Sequence, residues 1–203
     1  MLHGRRNLMA CNDKEAPVGD VIYSMGMSLD GYVEDSDGSI AFAAPDDEVH
    51  RLANEQAREA AAFLYGRRLY EVMEGYWQAA AKERDVPRIA AEFAEAYVQT
   101  PRVVFSDTLD SVSEGCRLVR SSEAVAEVRR LKQVTQGPLG LGGATLAASL
   151  IDLIDEFRIW VNPVAVGGGK PFFPIGRERL RLRLAEHRAF PSGALYLRYR
   201  RAN

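Results

Sequence analysis

Cysteine is nearly missing. Cys11 and Cys116 are the whole complement, and they stand in no metal-ligand spacing. That argues against a disulfide framework or a cysteine metal centre, and suits a reducing, cytoplasmic location. The three histidines, His3, His50 and His187, are scattered without ligand spacing, so no metal site is expected. No apolar run approaches the roughly 18 residues that a membrane span needs. The first 19 residues contain Arg5-Arg6 but no continuous apolar core, so they are expected to be a poorly anchored extension and not a secretory signal. Strong charge of either sign is also lacking: 26 basic against 28 acidic residues leave a net charge of −2. Broad attraction to nucleic acid or to an anionic membrane is therefore not expected. Several chemistries have no motif here. There is no G-x-x-x-x-G-K-[ST] phosphate loop, no H-E-x-x-H and no G-x-S-x-G elbow, and G-x-G-x-x-G does not follow the first expected strand. A standard Rossmann dinucleotide fold is disfavoured accordingly.

What is present is an ordinary globular composition, 47% hydrophobic and 27% charged over 203 residues, with expected strands and helices in alternation. One domain is expected over residues 20–203. Residues 20–27 (DVIYSMGM) have strand character through Val21, Ile22 and Tyr23. Turns follow at 28–31 and 35–38. A helix is expected from Pro45-Asp46-Asp47-Glu48, with Val49, Leu52, Ala53, Ala57 and Ala60 at spacings of three and four, and with Asp46 and Asp47 as caps. A strand at 61–65 leads into a helix expected to end near Met73, stopped by Gly75. A helix opens at Asp85-Val86-Pro87, a strand covers 102–105, and Ser121 or Ser122 can cap the next helix. Residues 137–173 then read strand, Gly142-Gly143 turn, helix at 144–151, strand at 157–163, and a glycine loop at 167–169. Finally, leucine and arginine alternate over 179–184, and Leu195, Leu197 and Tyr199 alternate with Tyr196, Arg198 and Arg200 around a Pro191-Ser192-Gly193 turn. That pattern predicts an antiparallel hairpin with one wet face. Together these elements predict an α/β fold, mostly parallel, with an antiparallel C-terminal end.

Chemistry concentrates where strands are expected to end. Gly142 and Gly143 let backbone N–H groups approach a ligand with no Cβ in the way, just before a helix start that favours an anion. Gly66-Arg67-Arg68 puts two guanidiniums at another helix start. Positive charge there opposes the helix dipole, so it points to an anion and not to helix stability. Ser106-Asp107 follows a third strand, and residues 26–30 end the first. Ligands of open α/β sheets bind beyond the carboxyl ends of strands, so two phosphate-favouring turns on one edge suggest a dinucleotide. Asp30 is either a turn residue or an acid at the site. Trp77 and Trp160 are assigned to packing, and His50 is given no role.

In their order and spacing, Ser28-Leu29-Asp30-Gly31, then residues 65–71 (YGRRLYE), 103–109 (VVFSDTL), 140–145, 153–160 (LIDEFRIW), Pro163, 167–173 (GGGKPFF) and the C-terminal hairpin resemble the dihydrofolate reductase-like superfamily. Within it the chain is most similar to the C-terminal reductase domain of the bifunctional riboflavin biosynthesis deaminase-reductase, over about residues 18–201. The zinc deaminase signature is absent, so the bifunctional enzyme itself is excluded. The resemblance implies a three-layer dihydrofolate reductase-like fold, NADPH as hydride donor, a small-molecule substrate and a homodimer. Matched motif by motif, it implies Gly66, Arg67, Arg68 and Leu69 at the cofactor phosphates and Ser106 by the ribose 2′-phosphate. Gly142, Gly143, Ala144 and Thr145 would lie along the pyrophosphate and nicotinamide, and Gly26 and Met27 against the nicotinamide. Ser28 and Asp30 would sit near the substrate, with Asp30 or water delivering the proton. Asp107 beside the 2′-phosphate position leaves NADH open. A nucleotide-binding module without chemistry is the competing expectation, and a folate reductase a lesser one.

Overall fold

The computed structural model describes residues 19–43, 45–83, 85–176 and 178–202. Most of the expected N-terminal extension, and Arg177 of the arginine row, lie outside the described residues.

Eight strands form one sheet. They are β1 (Val21–Ser28), β3 (Ala62–Gly66), β4 (Arg102–Phe105), β5 (Cys116–Val119), β6 (Leu139–Gly142), β7 (Glu156–Asn162), β9 (Leu182–Ala189) and β10 (Leu195–Arg201). Their order is β5-β4-β3-β6-β1-β7-β10-β9. The first six run parallel; β10 pairs antiparallel with both β7 and β9. β2 (Tyr32–Glu34) and β8 (Lys170–Pro171) make a separate two-stranded ribbon.

Helices cover both faces, as the three-layer expectation requires. On one face lie α1 (Asp47–Glu59), α2 (Arg67–Ala80) and α3 (Arg88–Gln99), over a cluster that includes Ala57, Phe63, Tyr65, Tyr97 and Val104. On the other lie α4 (Ala124–Val134) and α5 (Ala144–Ser149), over Val21, Tyr23, Leu64, Leu139, Leu141 and Phe157. The central strands are buried on both faces, which is why β3, β4 and β6 read as short continuous apolar runs.

Four local expectations change. α2 runs through Gly75 to Ala80, because Met73 and Trp77 pack on both sides of that exposed glycine and outweigh its cost of about 1 kcal/mol in a helix. The serines do not cap α4: Ser121–Glu123 is a 3-10 turn, and α4 starts with no side-chain cap. Asp46 alone caps α1, its carboxylate accepting from Glu48 and Val49 N–H at 2.8 Å each, while Asp47 is the first helical residue. The hairpin is not wet on one whole face. Tyr196 is 1% exposed, whereas Leu184 and Leu195 are 45% and 38% exposed. A bulge opposite Arg198/Tyr199 shifts the register of β9 by one residue, so the leucine–arginine alternation does not persist as a single face.

Candidate active site

Six parallel strands deliver their carboxyl ends to one edge of the sheet. The pairings Gly66 with Phe105, Tyr65 with Gly142, and Met27 with Val161 fix that edge. It carries two environments.

The first is an exposed, arginine-rich rim. α2 begins at Gly66 with no side-chain cap and no acidic residue in its first turn. Arg67 reaches Thr108 Oγ1 at 3.2 Å and lies 3.7 Å from Glu71; Arg68 pairs with Glu34 at 3.2 Å and donates to the Gly38 carbonyl at 3.0 Å. Both side chains are more than half exposed, so these pairs are exchangeable at little cost. Leu69 packs over the glycine turn: a Cβ on Gly142 would stand 2.5 Å from Leu69 Cδ2. Gly143 has φ +94°, a backbone that residues with a side chain rarely adopt. Its N–H donates to Met25 Sδ at 3.4 Å. Ala144 is buried and Thr145 exposed at the start of α5. Leu69, Gly142, Gly143 and Met25 of β1 are thus brought together, with Gly66 at the start of α2. Ser106 is buried, its hydroxyl accepting from Thr108 and Leu109 N–H. Asp107 accepts from Ser121 N–H at 2.9 Å, so its carboxylate is held against the next turn.

One rim residue has no counterpart in the sequence reading. Arg120 follows β5, a strand that reading did not identify, and its guanidinium lies over the carbonyls of Ser106, Asp107 and Leu109. The signal was present as a third arginine after a short apolar run, Leu118-Val119.

The second environment is a cavity of about 590 Å³ between the sheet and α1. Its floor includes Gly26 and Ser24 of β1, Gly140 and Gly142 of β6, and Arg158 and Trp160 of β7; its roof and walls include Ala53 and His50 of α1, Trp77 and Phe93. The floor glycines make the space. A Cβ at Gly140 would meet the Phe63 ring at 3.0 Å, and one at Gly26 would face Ala43 at 3.3 Å. His50 lies edge-on to Trp77, with centroids 6.1 Å apart, and burial holds its imidazole below the usual pKa, hence neutral at pH 7. Asp46 stands at the mouth with its carboxyl held low by the Ser192 hydroxyl and the α1 N–H groups, so it is ionised. Trp77 and Trp160, assigned above to packing, and His50, given no role, are cavity walls.

Ser28 and Asp30 are placed elsewhere. Ser28 is fully buried, and its hydroxyl accepts from Tyr32 N–H. Asp30 accepts from Val166 and Gly167 N–H at 3.1 and 2.7 Å, tying the β1 turn to the glycine loop. The Ser28 hydroxyl, then these N–H groups, hold its carboxyl below the usual range. Neither residue is among those that line the cavity.

Known proteins with this architecture include the dihydrofolate reductase of Enterococcus faecalis, solved with NADP(H) and RAB-propyl. It is 15% identical, with a TM-score of 0.61 covering 92% of this chain and 98% of that one. The fold is thus that of a dihydrofolate reductase-like protein. The RibD C-terminal domain profile matches residues 20–196, and the chain belongs to that family. The uncharacterized protein YyaP of Bacillus subtilis (strain 168) is 26% identical over 182 residues, 88% of this chain and 93% of its own. A diaminohydroxyphosphoribosylaminopyrimidine deaminase/5-amino-6-(5-phosphoribosylamino)uracil reductase from Thermotoga maritima is 14% identical, with a TM-score of 0.61, covering 90% of this chain and 56% of its own. The family is a reductase domain, which makes this chain a member of a reductase class. Among the described residues no helix is long and apolar enough to cross a membrane.

Proposed function

We propose that the chain is an NADPH-dependent reductase of a small carbonyl-containing or heterocyclic molecule. The carrying observation is the adjacency of two features: the uncapped, doubly arginine-bearing start of α2, and the Gly142-Gly143 turn, beside an apolar cavity. The residues fit a dinucleotide. Arg67 and Arg68 would hold phosphate, giving up Thr108, Glu71 and Glu34 for a doubly charged partner. The glycine pair gives the close backbone approach that a Cβ would fill. Ser106 and Arg120, which touch each other, would read the ribose 2′-phosphate, with Asp107 engaged by Ser121 N–H. Gly26 leaves the strand surface flat for a ring. When bound, the nicotinamide supplies the hydride.

The chain's own contribution is to exclude water and to orient the substrate. The apolar walls Trp77, Phe93 and Trp160 do the first, and the flat glycine floor does the second. Asp30 is ionised at neutral pH and anchors a loop, so the completing proton comes from water at the cavity mouth.

The test is NADPH consumption by the purified protein across carbonyl and heterocyclic compounds, dihydrofolate included. Oxidation with one class of compound is the expected result. The ionised, capping state of Asp46 at the mouth favours one second reading, a nucleotide-binding module without chemistry. NADPH binding with no oxidation across the panel would select that reading.

A further inference from the structure

The cavity is apolar almost throughout, and among its lining residues Arg158 is the one lysine or arginine. It is 6% exposed. Its Nε donates to Glu156 Oε1 at 2.7 Å, the one hydrogen bond it makes among the described residues. That bond leaves the two terminal nitrogens without a hydrogen bond among the described residues, on a side chain that lines the cavity. Glu156, 1% exposed, is gripped from its other oxygen by Arg200 Nε at 3.0 Å. The triad of two guanidiniums and one carboxylate leaves a single positive charge; the neighbouring Arg198 shares Glu186 with Arg188, its buried Nε without a hydrogen bond, and does not line the cavity. The floor pairing sets Arg158 against Ser24, and Trp160 against Gly26. Arg158 thus lies two residues deeper than the level assigned to the nicotinamide, about 7 Å at the rise of a strand and roughly the length of one ring.

We propose that Arg158 is the substrate-recognising residue. It takes a carbonyl or carboxylate oxygen at the far end of a flat, apolar, unphosphorylated substrate whose reducible bond lies over Gly26. This rests on the reductase reading for the position of the reducible bond. Charge decides against a phosphate ester. A phosphate monoester brings about −1.5 to −2 charges, and the triad's net charge of +1, opposed by the ionised Asp46 at the mouth, cannot offset them in an apolar cavity. A neutral carbonyl or a single carboxylate can be met by the two terminal nitrogens. The Thermotoga maritima protein is named for a phosphoribosylated uracil, so the proposal separates this cavity from such a substrate. Glu156, shared with Arg200, holds the Arg158 guanidinium by its Nε without neutralising the pair.

The experiment is a titration of the full chain, with and without NADPH, using four fragments: benzoate, benzamide, toluene and phenyl phosphate. Protein-observed NMR follows the Arg158 Nε–H and the Trp77 and Trp160 indole N–H signals. Benzoate and benzamide are expected to shift all three, and to bind about tenfold tighter than toluene, the weight of a charge-assisted hydrogen bond. Phenyl phosphate is expected to bind at least as weakly as toluene. Arg158→Met should erase the benzoate advantage, and Arg158→Lys should retain part of it. Unshifted Arg158 in the wild type, or phenyl phosphate binding as well as benzoate, overturns the proposal whether or not the variants fold. Arg158-dependent benzoate binding without any NADPH binding would leave the cavity assignment standing and remove the reductase reading. NADPH binding with no benzoate response does the reverse.

Discussion

Two helices over the same sheet face start with opposite chemistry. α1 opens with Asp46 as cap and with Asp47 and Glu48 in its first turn, the arrangement that stabilises a helix dipole. α2 opens on bare Gly66 followed by two arginines, the arrangement that does not. α1 is finished as a structural element and forms the roof of an apolar cavity; α2 is left with uncapped N–H groups and exposed positive charge at the rim. The difference separates the two tasks of the site. On the proposed function, affinity for a dinucleotide would reside in the rim and choice of substrate in the cavity.

Breaking the rim has the largest expected effect. Replacing both Arg67 and Arg68 by alanine should weaken NADPH about a hundredfold, at roughly tenfold for each charge-assisted contact, while the fold holds because both side chains are exposed. Arg120→Ala alone should weaken NADPH more than NADH in a calorimetric comparison; equal losses would remove its 2′-phosphate role. The turn between the two environments comes next. Gly143→Ala forces a side chain onto φ +94° and should cost about 1–3 kcal/mol in urea unfolding. Gly142→Ala meets only the movable end of Leu69 and the Tyr65 ring, so it should lose cofactor affinity with a smaller change in stability. Filling the cavity by Ala53→Phe sharpens the contrast from the other side: fragment binding and turnover should fall while NADPH affinity stays unchanged.

The smallest effect is on pH. His50 is held neutral by burial, so the unfolded chain takes up its proton at a higher pH than the folded one does. Its contribution to stability is complete above its ordinary pKa and is lost as pH falls through the lower folded value. His50→Phe should flatten the acid side of the stability profile between those two values.

The rim was legible in the sequence because each part is a short local signal. Gly66-Arg67-Arg68 and Gly142-Gly143 announce themselves through residue type alone, and β4 was found to the residue because Arg102–Phe105 is buried on both sides and bounded by a proline and a serine. The cavity was not legible. Ser24, Ala53, Trp77, Phe93, Gly140 and Trp160 come from six elements, and nothing in a tryptophan's local sequence tells a packed wall from an open one. Arg120 stayed hidden with β5, whose Cys116 and Arg117 carry no strand pattern. Arg158 lies within a motif but reads as strand, since its meaning depends on Glu156 two residues earlier and on Arg200 of the neighbouring strand β10. Of the two readings open for Asp30, the structure shows the turn residue: its carboxylate ties the β1 turn to the glycine loop.

The most direct measurement is a calorimetric titration of NADPH into the wild-type chain and into the Arg67→Ala/Arg68→Ala variant. Micromolar binding that the double substitution weakens by about two orders of magnitude is the predicted result. Absence of NADPH binding to the wild type, or binding that is indifferent to both arginines, would contradict the assignment of the rim as a dinucleotide site.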